Sequence, residues 1–494
     1  MIIKFQDWQP DAADYGTLGS VTALNVAPAQ YGFQPWPSFS DITSAIAATP
    51  LGGIEAFDED QVSFMYTGSA AKLYQLDSTD LTWTDSTNLG GDYTTASGER
   101  WNFVRWENKI LGVNFTNSPQ QIAMGAANFS DLTTDFRARN ITVVRDFVVA
   151  SNTWDSSDGN VPNRVRWSAI GDETDWTVSA STLSDFRDLT TGGSVRKIVG
   201  GEVGIIVSER SIFRMVFVGA PTVFQIDEVQ PDIGTISGGS VTNLGDSVFL
   251  LSAQGFIELT GGGTGILPIG AGKVDQWFFD DYDSDYPERI SAIADPANNR
   301  IVWSYPGKGN VSGRPNKLLV FDRTFQKWAL IEQELELLLR SKGFSFTLDQ
   351  LDSLGFTNID TMTISLDDSA FKALSSQIAG FSSSFKLGFF SGTYMTATLE
   401  TAESQLNEGY MTALNAFSPM VDGATVTAQI GMRDRLSDAV TWSSVLTQSS
   451  SGRFTKRANA KYHRFRLNVT GDSWLDAIGV QIDPTDAPRG ARRA

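Results

Sequence analysis

The sequence predicts a mainly β protein: a β-propeller of about seven blades, with an additional small C-terminal β unit and two short helices. Three observations lead there. Short apolar runs, separated by polar or Gly-bearing breaks, recur from Gly52 to about Gly392. A strand, an Asp turn and a returning Trp repeat imperfectly along that stretch. The composition, with 45 Gly and abundant Ser and Thr but few helix-friendly runs, favours many short strands joined by tight turns. At 494 residues the chain exceeds the size at which one hydrophobic core keeps growing, so more than one unit is expected.

Residues 1–50 are rich in Pro, Ala and Ser and weakly periodic, as an extended arm that packs on something else would be. Residues 51–393 carry the propeller. Within it, DSVFLLSAQGFIEL reads as a hairpin: Val248 to Leu251, a turn at Ala253-Gln254-Gly255, and a return from Phe256 to Leu259. Gly204 to Val229 reads as a three-stranded meander. The Asp-to-Trp repeat appears as Asp77 with Trp83, Asp322 with Trp328, and more loosely Asp172 with Trp176. A short Asp side chain bonds turn amides, and the Trp covers the sheet. Similar meanders fall near 54–85, 99–124, 142–177, 196–229, 240–260, 289–330 and 360–393, at a blade-like spacing. A helical insertion is read over 331–356: Ile331 to Gly343 carries a helical Glu and Leu pattern, and Thr347 to Phe356 a capped one. Residues 394–485 alternate apolar and polar and read as a small β-sandwich-like unit. Residues 486–494 form a basic tail.

Composition excludes several chemistries. With no Cys there are no disulfides, thiol nucleophiles or Cys metal sites, and with a single His, His463, multi-His metal sites fail too. His463 lies in an alternating strand pattern beside Arg464 and Arg466 and reads as a packed strand residue. The formal net charge of −19 is opposite to the basic face of a protein that grips nucleic acid, but suits one past which DNA must slide. The N-terminus shows no basic segment followed by an apolar one, so no secretory leader is read, and no long apolar run suggests a membrane span.

Tests for chemistry fail one after another. Leu267 and Val274 break the phosphate-loop template around Gly272-Lys273, and Pro268 breaks a dinucleotide fingerprint. In FFDDYDSDYPE, Asp281, Asp283 and Asp285 have the alternate spacing of a calcium loop, but Tyr286 and Ala292 stand where Gly and Glu are needed, so a solvated acidic turn is the plainer reading. LSDAVTW approaches a sialidase Asp-box, with Asp438 one residue too near Trp442 and no Gly. Trp154-Asp155 alone does not make a WD-type repeat. No cofactor and no enzymatic activity are expected. A receptor-binding or glycan-degrading component on a propeller scaffold is the alternative to a structural one, since aromatic faces stack on sugars.

One ordered series of segments is left. It opens with Trp8-Gln9-Pro10-Asp11, Asn25-Val26-Ala27-Pro28 and Gly32-Phe33-Gln34-Pro35. PNRVRWSAIGDETDWTVS, IIVSERSIFRMVFVGAP and GGSVTNLGDSVFLLSAQGFIELTG follow. TLDQLDSLGF, ISLDDSAF, KLGFFSG, DAVTWSS and KYHRFRLNV close it. In this order they resemble the tail nozzle, or tail accessory and packaged-DNA-stabilising, proteins of short-tailed bacteriophages. The resemblance covers nearly the whole chain and implies a propeller-bearing structural subunit of the virion tail, assembled in the host bacterial cytoplasm. It implies a homo-oligomeric ring, a hexamer, below the portal and its adaptor. Tail fibre or spike proteins are further partners, and double-stranded DNA passes transiently. It supplies no catalytic residues. Arg489, Arg492 and Arg493 of the tail are candidate partner contacts. Asp280, Asp281, Asp283 and Asp285 are candidate channel-facing acids, because a lumen that conducts DNA should not adhere to it.

Overall fold

The computed structural model describes residues 1–13, 15–342, 376–407 and 410–486, with side chains of 483–486 excepted. Seven four-stranded antiparallel units are arranged as blades. Blades 1 to 6 are continuous in sequence, over 52–85, 102–131, 136–188, 195–231, 242–268 and 291–332. Blade 7 takes three strands from Leu337–Ser341, Gln377–Phe381 and Lys386–Tyr394, and its outer strand from Pro37–Ala45 of the N-terminal arm. The ring is thus closed by a strand some three hundred residues distant in sequence from its partners, which removes the open edge that a meander would otherwise leave.

The turn chemistry is that expected. Asp77 Oδ1 accepts from the Thr79 amide at 2.8 Å, Asp172 from Thr174 at 2.9 Å, and Asp322 from Thr324 at 3.0 Å and Phe325 at 3.1 Å. In the hairpin of blade 5, Ser252 pairs with Gly255, whose φ of +127° favours a residue without a Cβ. Where the inner ends of neighbouring blades meet, the backbones approach so closely that glycine is required. A Cβ on Gly52 would lie 2.1 Å from the Trp101 carbonyl oxygen, and one on Gly239 would lie 2.0 Å from that of Ile290.

Residues 394–486 form a two-sheet sandwich that shares both sheets with the arm. One sheet runs from blade 6 through Thr22–Leu24 into Ala397–Glu400, Tyr462–Thr470 and Thr425–Arg433 without a break, ten strands in all. The other holds Phe454–Ala460, Thr412–Val421 and Ala477–Asp486, and the arm adds Ile2–Lys4 and the hairpin Val26–Ala29/Gly32–Pro35 to it. Phe417 meets Phe454 at 5.0 Å in its own sheet and Phe465 of the facing sheet at 5.1 Å. The same apolar core continues to Phe5, Trp8, Phe256, Trp303 and Trp328, so propeller and sandwich have no solvent layer between them.

Two expectations are corrected. Ile331 to Lys342 is not a helix: it holds the end of blade 6 (Lys327–Glu332) and the inner strand of blade 7. Leu337, Leu338, Leu339 and Ser341 are buried there while Arg340 is exposed, because the strand is covered on both faces. The second expected helix, over 347–356, lies outside the described residues. An α-helix does occur at Asp275–Asp281, where none was expected.

Candidate functional site

The inner ends of the blades line an open cavity of about 750 Å³ around the propeller axis. It sits at the end where the first strands begin: Gly52, Asn102, Val195, Val241, Ser291 and Leu337 contribute to it from six blades, with Asn140 from the seventh. Its charge departs from that of the chain. Four cations line it, Arg100, Arg139, Arg196 and Lys197, against three acids, Glu99, Glu209 and Glu288. Arg139 holds both carboxylate oxygens of Glu99, Oε1 at 2.6 Å and Oε2 at 3.1 Å, and also donates to Asn152 Oδ1 at 2.7 Å. Arg196 holds Glu209 at 2.7 Å.

Arg100 and Lys197 remain. Neither terminal nitrogen of Arg100 has a hydrogen-bond partner among the described residues, although both are sealed from solvent. Burial lowers the Arg100 pKa to about 10, with the neighbouring Arg289 adding to the effect and Glu288 and Glu336 opposing it. Lys197 makes no ion pair or hydrogen bond through its ammonium among the described residues. Its side chain keeps some surface toward the cavity, yet protein surrounds it closely enough that desolvation lowers its pKa to about 8.

The residues singled out in the sequence lie elsewhere. Asp280 and Asp285 are exposed around the end of the helix and outside the cavity. Asp281 is buried, accepting from Lys317 Nζ at 2.6 Å and Tyr305 OH at 3.0 Å. Asp283 accepts from Asn310 Nδ2 at 2.9 Å and from the Asp285 amide at 3.2 Å. The carboxylates of Asp281 and Asp283 therefore serve separate partners, and among the described residues no three His, Cys, Asp or Glu side chains are grouped as a metal ion needs. Arg489, Arg492 and Arg493 lie outside the described residues. No helix among them is long and apolar enough to cross a membrane.

Among the segments that carried the family resemblance, the N-terminal ones fall at joints, and TLDQLDSLGF and ISLDDSAF lie outside the described residues. Asp11 caps the helix, accepting from Gln276 at 2.8 Å and Trp277 at 2.7 Å, and Trp8 packs edge-on against Trp277 at 4.8 Å. Asn25 accepts from the Glu332 amide at 3.0 Å. In PNRVRWSAIGDETDW, Arg164 draws Asp155, Asp158 and Asp188 together at 3.0, 2.6 and 2.7 Å across blade 3.

No family model matches this chain, and no curated protein does. Solved structures do, at low identity. The extracellular domain of the one-component system BT4673 from B. thetaiotaomicron is 12% identical over 78% of this chain, with a TM-score of 0.40; the chain spans only 44% of that domain. BamB from Moraxella catarrhalis is 10% identical, with a TM-score of 0.36 over 74% of this chain and 92% of BamB. YCF48 bound to D1 peptide is 12% identical, with a TM-score of 0.37 over 64% of this chain and 91% of its own. BamB and YCF48 are β-propellers, and the likeness is one of fold alone.

His463 is fully buried in the sandwich strand Tyr462–Thr470. Desolvation lowers its pKa from 6.5 to about 4. The unfolded chain therefore binds a proton that the folded chain refuses between those values. The stabilisation is complete above about 6.5 and is lost as pH falls toward 4, by up to roughly 3 kcal/mol. Asp275, whose pKa burial raises to about 6, takes up a proton in the same window and acts in the opposite sense. The diagnostic is thus a difference. Between pH 7 and pH 5, wild type should lose about 1–2 kcal/mol more than His463→Gln in urea unfolding. Parallel curves for the two proteins would show that the imidazole is not held neutral.

Proposed function

We propose that this chain is a non-enzymatic structural subunit of a short-tailed phage virion, a nozzle ring that extends the DNA channel below the portal and its adaptor. In this reading it retains the packaged genome and conducts it at ejection. The observation that carries the reading is where the family-like segments lie. Trp8 and Asp11 fasten the arm to the helix, Asn25 to blade 6 and Phe33 to the sandwich. They act as a clasp, and a clasp is what a subunit under pressure needs when it has no disulfides. A ten-stranded sheet that passes from blade into sandwich makes the two parts one stiff body.

The path for DNA in such a ring runs between subunits. The exposed Asp280 and Asp285 are channel-facing candidates in that assembly, where an anionic wall lets DNA slide without adhesion. The test is particle assembly without this chain. Heads should fill with DNA and then lose it. Stable, full and infectious particles lacking the protein would end the proposal.

A further inference from the structure

We infer that the axial cavity of the propeller is a binding site for a small oxyanion, a phosphate- or carboxylate-bearing molecule held by Lys197, with the charge of Arg100 in the wall adding to the attraction. The inference is independent of the virion reading, because it concerns a cavity inside one subunit.

Charge comes first. The chain as a whole carries −19, yet the cavity wall has one more cation than acid. Pairing sharpens the contrast. Glu99 and Glu209 are bound to Arg139 and Arg196, so they do not neutralise the other two cations. Glu288 is close enough to favour the charged form of Arg100 but forms no ion pair with it within 4.0 Å. The two cations come from different blades: Lys197 lies in the inner strand of blade 4, and Arg100 just ahead of that of blade 2.

Stability argues against a structural role for either. A buried cation with no counter-ion is destabilising, and proteins elsewhere pair it. This protein does so repeatedly: Glu336 sits between Arg289 and Arg314 at 3.1 and 2.6 Å, and Glu258 meets Arg323 at 2.7 Å. Lys197 and Arg100 are left without an ion pair among the described residues, beside a cavity lined from all seven blades. An oxyanion beside Lys197 supplies a missing acceptor and a counter-charge for both. The volume falls in the range of small-molecule sites.

The test is calorimetric titration of the full-length protein with sodium pyrophosphate and, separately, with citrate, at low and constant ionic strength, with glucose as uncharged control. Saturable binding of either anion but not glucose is expected, and the arm that binds tells phosphate from carboxylate. Lys197→Met should weaken it about ten- to hundredfold, as loss of one charge-assisted contact does. The same variant without ligand should melt no lower than wild type, since it removes an unpaired, partly desolvated charge. Arg100→Gln gives a second reading that does not depend on how Lys197→Met folds, and should weaken the anion in the same direction. No heat with either anion, or affinity unchanged in both variants, overturns the inference. So does a Lys197→Met protein that loses stability in the absence of any anion.

Discussion

A chain shortened to begin at residue 46 is expected to lose its cooperative fold. The arm it lacks is part of three sheets. Without Pro37–Ala45, the strand Lys386–Tyr394 becomes a bare edge, and the seam between blades 7 and 1 loses the bond from Trp83 Nε1 to Thr43 Oγ1 at 3.1 Å. Without Thr22–Leu24, blade 6 is severed from the sandwich. Phe5, Trp8, Val26, Phe33 and Trp36, each no more than 4% exposed, leave the core together. At about 1.5–3 kcal/mol for each buried side chain, their removal approaches or exceeds the whole stability of an ordinary domain, about 5–15 kcal/mol. The shortened chain should aggregate or be digested rapidly by protease. A control keeps this specific to the clasp. Removing residues 1–4 takes away only an edge strand whose Ile2 is 49% exposed, and should leave the melting transition nearly in place. A chain beginning at 46 that melts as sharply and as high as wild type would show that the arm is ornamental.

The parts of this fold that were legible in the sequence are those whose partners are near in sequence. Blades 1 to 6 are consecutive meanders, and Asp77, Asp172 and Asp322 mark their turns by a local mechanism that needs no tertiary information. Blade 7 was legible only in part. Its outer strand, PSFSDITSA, has one residue buried out of nine and pairs across the ring closure, so no local pattern announces it. The stretch LELLLRS was misread because a fully covered strand and a Leu-rich helix look alike over a few residues. The arm could be recognised as an extended segment that packs on something, but not as a member of both sandwich sheets. The cavity cations were missed for a related reason. Arg196-Lys197 in a strand ordinarily marks a solvated face, and only ring closure turns that face into an interior. Arg100, between Glu99 and Trp101, gave no signal at all.

The second large effect is expected at Trp328, and it separates sequence similarity from energetic role. Trp83 and Trp328 occupy the same place in the same Asp-to-Trp repeat. Trp328 is fully buried and stacks with Trp303 at 5.8 Å, Phe256 at 5.2 Å and Phe321 at 4.8 Å. Its Nε1 donates to the Ile269 carbonyl at 3.1 Å, and its amide donates to Asp7 Oδ1 of the arm at 2.8 Å. Trp83 is only partly buried, on the seam of blades 1 and 7, beside Phe381 at 5.6 Å. Trp328→Ala leaves a large void and an unpaired Ile269 carbonyl, and should cost about 3–5 kcal/mol. Trp83→Ala removes less buried surface and should cost about 1–2 kcal/mol. Because Trp328 sits in the core shared by blades 5 and 6, the helix, the arm and the sandwich, its loss should lower every resolved step of thermal unfolding. Trp83→Ala should lower only steps that involve the seam. Trp328→Phe should fall between wild type and Trp328→Ala, since it restores part of the volume without the indole donor. Scanning calorimetry of the three variants decides the matter: equal shifts for Trp83→Ala and Trp328→Ala would mean that the shared core does not couple propeller to sandwich.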